Sequence, residues 1–232
     1  VTSIGVERAG ARVRVRVAGR AVIPRLIEST ADSARVALVA GGAMLLGGDR
    51  VAISIDVGAG CALHLQDIGG TVAYDADGVA SSWTVHARLA PGAILSWHAL
   101  PFVVATGANV RRSLSVTLGE GAALCLRETL VLGRHSEVGG KLDSRTVIGD
   151  HFVEHVTLDG ARREPGVLGS HRVLDTVVLA GRRPPATGSA LELERDGALA
   201  RFLGSDAHTS PLDSVFADWT NLLEDAHAPV AR

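Results

Sequence analysis

The chain has 232 residues, 47% of them hydrophobic and 21% charged, enough to build a sizeable core and too apolar for a disordered segment. Its net charge of −2 gives no general attraction to nucleic acid or to an anionic membrane. No run of 18 apolar residues occurs, and only 3% of residues are aromatic, so Val, Leu, Ile and Ala must fill the core.

The first readable element is Arg12-Val-Arg-Val-Arg-Val17, a strict two-residue alternation that predicts a strand with valines on one face and arginines on the other. The arginines read as a solvated face or as a basic patch for a partner. Gly19 punctuates the run, and a second extended stretch continues through Ile27. Gly41-Gly42 and Gly47-Gly48-Asp49 mark turns. The glycine-rich stretch 41–49 lacks a Lys-Ser/Thr ending and leads into a strand, so it is not a phosphate loop.

From Arg50 the pattern becomes repetitive. Val57-Gly-Ala-Gly60-Cys-Ala-Leu63, Leu89-Ala-Pro-Gly92-Ala-Ile-Leu95 and Leu118-Gly-Glu-Gly121-Ala-Ala-Leu124 share the form apolar-x-x-Gly-small-x-Leu. Their glycines fall 32 and then 29 residues apart. Alternating runs flank each one: Val51, Ile53 and Ile55 before the first, Trp83, Val85 and Ala87 before the second, Leu114 and Val116 before the third. The repeat predicts strand, tight corner and strand, stacked coil on coil. Further strands are expected over 144–149, 151–158 and 171–180. Pro184-Pro185 with Thr187-Gly188 reads as a break. Ser210-Pro211 then gives an N-cap and a first-turn proline, and Leu212, Val215, Phe216, Trp219, Leu222 and Leu223 recur at helical spacing. A helix over about 211–225 follows, with a frayed end over 228–232.

The chemistry-bearing residues are sparse. No nucleophile elbow, Walker loop, dinucleotide fingerprint or zinc-ligand cluster is present. Cys61 and Cys125 read as buried small hydrophobes in a reducing compartment. Val1 in place of Met points to a trimmed terminus or an unusual start codon. With no signal-peptide pattern visible, a cytoplasmic protein is expected. His151 and His155 could share a metal only on a helix, since on a strand they lie about 13 Å apart. His64, His86 and His98 could line one face or lie scattered. Glu128 and Glu154 sit inside apolar runs, and Asp49 opens a strand. Carboxylates in such places either face solvent or line a hydrated interior passage.

Several stretches resemble the urease accessory protein UreD (UreH) family. They are Gly41-Gly-Ala-Met-Leu-Leu-Gly-Gly-Asp49, Gly69-Gly-Thr-Val-Ala-Tyr74, Ala90-Pro-Gly-Ala-Ile-Leu-Ser-Trp-His-Ala-Leu-Pro101, Gly107-Ala-Asn109, Leu126-Arg-Glu-Thr-Leu-Val-Leu-Gly-Arg134 and Arg201-Phe-Leu-Gly204 with Phe216 and Trp219. The similarity runs from about 35 to 225; Val72 replaces the family's lysine, and Pro101-Phe102-Val103 replaces its Pro-Gln-Glu. The resemblance implies one UreD-like domain over 1–232, strand-rich over 10–182: a mainly β, helically wound, solenoid-like pair of packed sheets with an appended C-terminal helix. It implies no catalysis, but a chaperone that bridges a UreF–UreG complex, UreG being the GTPase, and the urease apoprotein. No nucleic acid, membrane or tightly bound cofactor is expected. It also implies a passage for transient Ni2+, carried over here onto Asp49, Thr71, Glu128 and Glu154, whose carboxylates would supply a field favouring cations. The alternatives are a β-solenoid carbohydrate-binding module or enzyme, poorly supplied with aromatic platforms, and an assembly subunit that never touches metal.

Overall fold

The computed structural model describes residues 1–185 and 190–227. Thr187 and Gly188 of the expected break, and the segment 228–232, lie outside the described residues. Alternation builds the frame. The strands are β1 (Thr2–Ala9), β2 (Arg12–Ala18), β3 (Val22–Ser29), β4 (Ser33–Ala40), β5 (Arg50–Val57) and β6 (Ala62–Asp67). Next come β7 (Thr71–Ala73), β8 (Ser81–Leu89), β9 (Ile94–His98), β10 (Phe102–Val104), β11 (Asn109–Leu118) and β12 (Ala123–Leu132). The last are β13 (Lys141–Ile148), β14 (Phe152–Asp159), β15 (Val173–Ala180), β16 (Ala190–Glu192) and β17 (Gly197–Gly204), followed by helix α1 (Leu212–His227). With 54% strand against 9% helical residues, the chain is mainly β.

The strands form two sheets. The first runs β14-β13-β11-β8-β5-β1-β2. The second runs β16-β17-β15-β12-β9-β6-β4-β3, with β10 and β7 continuing from β12. Each repeat glycine carries the chain across the gap between them: β5 to β6, β8 to β9, β11 to β12. Successive coils therefore pair in parallel, β5 with β8 with β11 in one sheet and β6 with β9 with β12 in the other. Antiparallel strands finish both ends of the stack. This is the stacking of coils that the 32- and 29-residue spacing predicted, in the helically wound, solenoid-like form that the family resemblance implied.

The corners need glycine for a physical reason. Gly60 and Gly92 have φ of 58° and 67°, in the left-handed region where a Cβ is costly. They also stack: the Gly60 amide donates to the Pro91 carbonyl at 3.0 Å, and the Gly92 amide donates to that of Glu120 at 2.8 Å.

Inward-facing aliphatics of both sheets meet in the main core, among them Ile53, Ile55, Leu63, Leu95, Leu124 and Leu126, all nearly free of solvent. The scarce aromatics serve locally, Trp83 packing edge-on against Phe102 at 5.8 Å between ring centres. A second core lies on the opposite face of the second sheet. There Cys125, Val177, Leu179, Ala198 and Ala200 pack beneath Leu212, Trp219 and Leu223 of α1. β12 is thus covered on both sides, which explains why its sequence reads as an apolar run without clean alternation. The helix ends two residues beyond the expected Asp225, and its Ser210 cap accepts the Leu212 amide at 3.3 Å. Cys61 and Cys125 are buried free thiols, and burial pushes that of Cys125 up to about 12.

The histidines singled out by the sequence are dispersed. His64 and His98 lie on the second sheet and His86 on the first, so the three share no face. Residues 151–155 are turn and strand, not helix, and His155 bonds Asp143 at 3.1 Å. Among the described residues no group of three or more His, Cys, Asp or Glu side chains is placed to hold a metal ion. No described helix is long and apolar enough to cross a membrane.

Candidate functional site: a polar layer between the sheets

Two-residue periodicity puts several polar side chains where aliphatics are expected. On β11 the inward phase Val110, Leu114, Val116 also contains Arg112. On β13 it contains Ser144 and Thr146, and on β14 it contains Glu154. Facing them, β12 contributes Glu128, β15 Thr176 and β17 Arg201, which stand side by side in register across three strands. A polar layer therefore runs through one end of the sandwich.

Charge matching organises this layer. Arg112, only 6% exposed, donates from Nη1 to Glu128 Oε2 at 3.3 Å and to Ser144 Oγ at 3.3 Å, and its Nη2 closes a second bond to Glu128. Its guanidinium also lies 5.7 Å from the centre of the Phe102 ring. Arg201 donates to Glu154 Oε1 at 2.7 Å and to Thr176 Oγ1 at 3.2 Å, bridging the two sheets. Arg112, Glu128, Glu154 and Thr176 border a cavity of about 20 Å3, room for roughly one water and not for a hydrated ion. Glu128 and Glu154 are thus brought together, but each is balanced by an arginine, so the expected negative field is neutralised at both.

The other two expected passage residues lie elsewhere. Thr71 sits on β7, in register with Phe102 of β10 and through it with Leu130 of β12, and does not line this cavity. Asp49 stands in the loop before β5, and its carboxylate accepts the Leu46 amide at 3.0 Å, closing a turn.

Sequence reasoning missed three members. Arg112 and Arg201 each sit in phase with inward aliphatics, and that signal was readable. Asp67, the third, ends β6. Its carboxylate accepts Trp97 Nε1–H and the Leu100 amide, both at 3.1 Å. Burial pushes Asp67 up to about 6, while these bonds and Arg112 pull the other way. Burial likewise pulls Arg112 down to about 10, still charged at neutral pH. Asp67 ordinarily releases its proton near pH 4. Between about pH 4 and 6 the folded chain therefore holds a proton that the unfolded chain has lost. Stability from this group is full below pH 4 and falls as pH rises through 6, by about 2 kcal/mol after allowance for its residual solvent contact. Urea midpoints measured from pH 4 to 8 should show that decline, and Asp67→Asn should flatten it; an unchanged slope in the variant would assign the decline to another group.

A second polar cluster lies under α1. Asp175, with no exposed surface, accepts Arg127 Nη2 at 2.9 Å, Thr129 Oγ1 at 2.9 Å and Ser210 Oγ at 2.5 Å. Arg127 also reaches Asp213 in the first turn of the helix. This cluster fastens the helix to the sheet.

A glycine-cornered, helically wound pair of sheets with a charge-matched interior layer and one docked helix defines a distinct class of β scaffold. Comparison with known proteins gives that class a family. The model of the UreD urease accessory protein family matches residues 6–229. The chain is 39% identical over 220 residues to urease accessory protein UreD 1 of Streptomyces griseus subsp. griseus, covering 90% of this chain and 86% of the relative. It is 32% identical over 247 residues to urease accessory protein UreD of Streptomyces avermitilis, covering 97% of this chain and 94% of that one. The chain belongs to the UreD family of urease accessory proteins, which serve maturation rather than catalysis.

Proposed function

We propose that this chain is a cytoplasmic maturation scaffold that joins a UreF–UreG complex to the urease apoprotein and helps deliver nickel to it. The carrying observation is the polar layer, because a structural β sandwich has no need of a buried Arg112 paired with a half-buried Glu128 between its sheets. Nickel is cargo here, not a resident cofactor. Hard oxygen donors bind Ni2+ less tightly than histidine or thiolate sets, so an ion can move on. A cation gains Glu128 or Glu154 only by displacing an arginine, which weakens its hold further. With room for about one water, transit requires β14 and β17 to part, a movement that partner binding would supply. Asp49 and Thr71 would take up the ion elsewhere along the route. The two buried free thiols fit a reducing compartment.

The test is reconstitution. Purified urease apoprotein, UreF–UreG, GTP and nickel should yield active urease with this chain present and far less without it. Activation independent of the chain would refute the proposal. Activation that needs the chain but persists in Glu154→Gln, with partner binding intact, would leave a scaffold and remove Glu154 from the route.

A further inference from the structure

The two sheets differ in what covers them. The outer face of the second sheet carries α1, whereas no described helix covers the outer face of the first. That bare face is built unusually flat. Ser54 of β5, Thr84 of β8, and Ser113 and Ser115 of β11 all point outward, with Ser113 bonded to Thr84 at 3.4 Å. These side chains are short, and among them the exposed His86 stands in register between Ser54 and Ser115.

Beside this platform stand Arg50, Arg111 and Arg145, all exposed. Register places Arg50 and Arg111 on either side of Ser82, two strand spacings or about 10 Å apart. Arg145 lies on the next strand, level with Ser113. Two other arginines on this face have local partners: Arg16 bonds Glu7 at 2.8 Å, and Arg88 bonds Asp56 at 2.8 Å. Among the described residues Arg50, Arg111 and Arg145 make no ion pair. The nearest carboxylate by register, Asp143 beside Arg111, turns instead to His155. Three exposed guanidinium groups outnumber the Asp143 carboxylate beside them and leave a cationic, hydroxyl-rich surface.

The geometry points to this face as the docking site for a flat, carboxylate-rich protein surface on one of the urease-maturation partners. Planar guanidinium forks pair with carboxylates in two-point fashion, and the short Ser and Thr side chains let the surfaces approach. A protein is favoured over nucleic acid because the whole chain is slightly acidic and three arginines are few for a phosphate backbone. The inference rests on the scaffold role proposed above and assigns one of its surfaces.

The experiment measures binding of the full chain to urease apoprotein and to UreF–UreG separately, at low and physiological salt. The Arg50→Glu/Arg111→Glu/Arg145→Glu variant should bind one of the two at least about tenfold more weakly and lose most of the salt dependence of that interaction. The triple glutamine variant should fall between, and Arg25→Glu, on the edge of the other sheet, should bind as wild type. These exposed positions should leave the melting curve unchanged, so weakened binding would not reflect unfolding. Unaltered affinity of the triple glutamate variant for both partners would overturn the docking face while leaving the scaffold role standing. Binding of the wild-type face to RNA, abolished in the variant while both partners still bind, would overturn it as well. A wild-type chain that binds neither partner would bring down the scaffold role and the docking face together.

Discussion

Asp175→Ala should destabilise the chain by about 3–5 kcal/mol and loosen α1 from the second sheet. Asp175 has no exposed surface and is the acceptor around which Arg127, Thr129 and Ser210 converge. Removing it leaves the guanidinium of Arg127 buried without its main counter-ion, since Asp213, the other partner, is 76% exposed and held on the helix itself. It also frees the Ser210 hydroxyl that caps the helix at Leu212. For a domain of this size the loss corresponds to a fall in melting temperature on the order of 10 °C. Trp219, on the buried face of the helix, reports the local change through its fluorescence. Asp175→Asn keeps oxygen and shape but not charge, and should cost less. A fall under about 1 kcal/mol for the alanine variant would show that the cluster contributes little to holding the helix.

The contrast between legible and hidden features follows from which interactions are local. The glycine corners could be read because a left-handed residue and a stacked neighbour demand glycine at a fixed place in every coil, and three coils repeat the demand. The helix could be read because its cap, its proline and its apolar stripe lie within one segment. β1 went unread although Ile4 and Val6 alternate, because a strand of this length gains its meaning only from its pairing with β5, some fifty residues away in the chain. β4 and β17 were missed similarly; β17 packs Ala198 and Ala200 under the helix, where small residues carry no strand signature. Of the site, Glu128 and Glu154 stood out as carboxylates in apolar runs. Their arginines showed at most as charges in phase with aliphatics; the pairing itself was hidden, because Arg112 with Glu128 joins opposite sheets and Arg201 with Glu154 joins strands 47 residues apart. Charge neutrality in the interior is a property of the folded pair of sheets, and no window of sequence contains it.

Glu128 offers the sharpest separation of structure from function. Glu128→Ala strands Arg112 in the core with only Ser144 as a bonded partner nearby, and should cost about 3–5 kcal/mol. Loss of urease activation in that variant alone would say little, because an unstable scaffold also fails. Arg112→Met/Glu128→Leu removes both charges and fills the space with aliphatic volume beside Leu126, Leu130 and Phe102. Buried ion pairs exchanged in this way are often neutral or stabilising, by up to about 4 kcal/mol. The double variant should therefore melt at or above the wild-type temperature and bind its partners normally, while its activation of urease apoprotein at limiting nickel falls at least about tenfold. Such a protein, more stable yet inactive, would place the function in the oxygen donors and the displaceable guanidinium rather than in the fold. Full activation by the double variant would return the pair to a structural role, and the cargo would have to travel over the outside of the sheets.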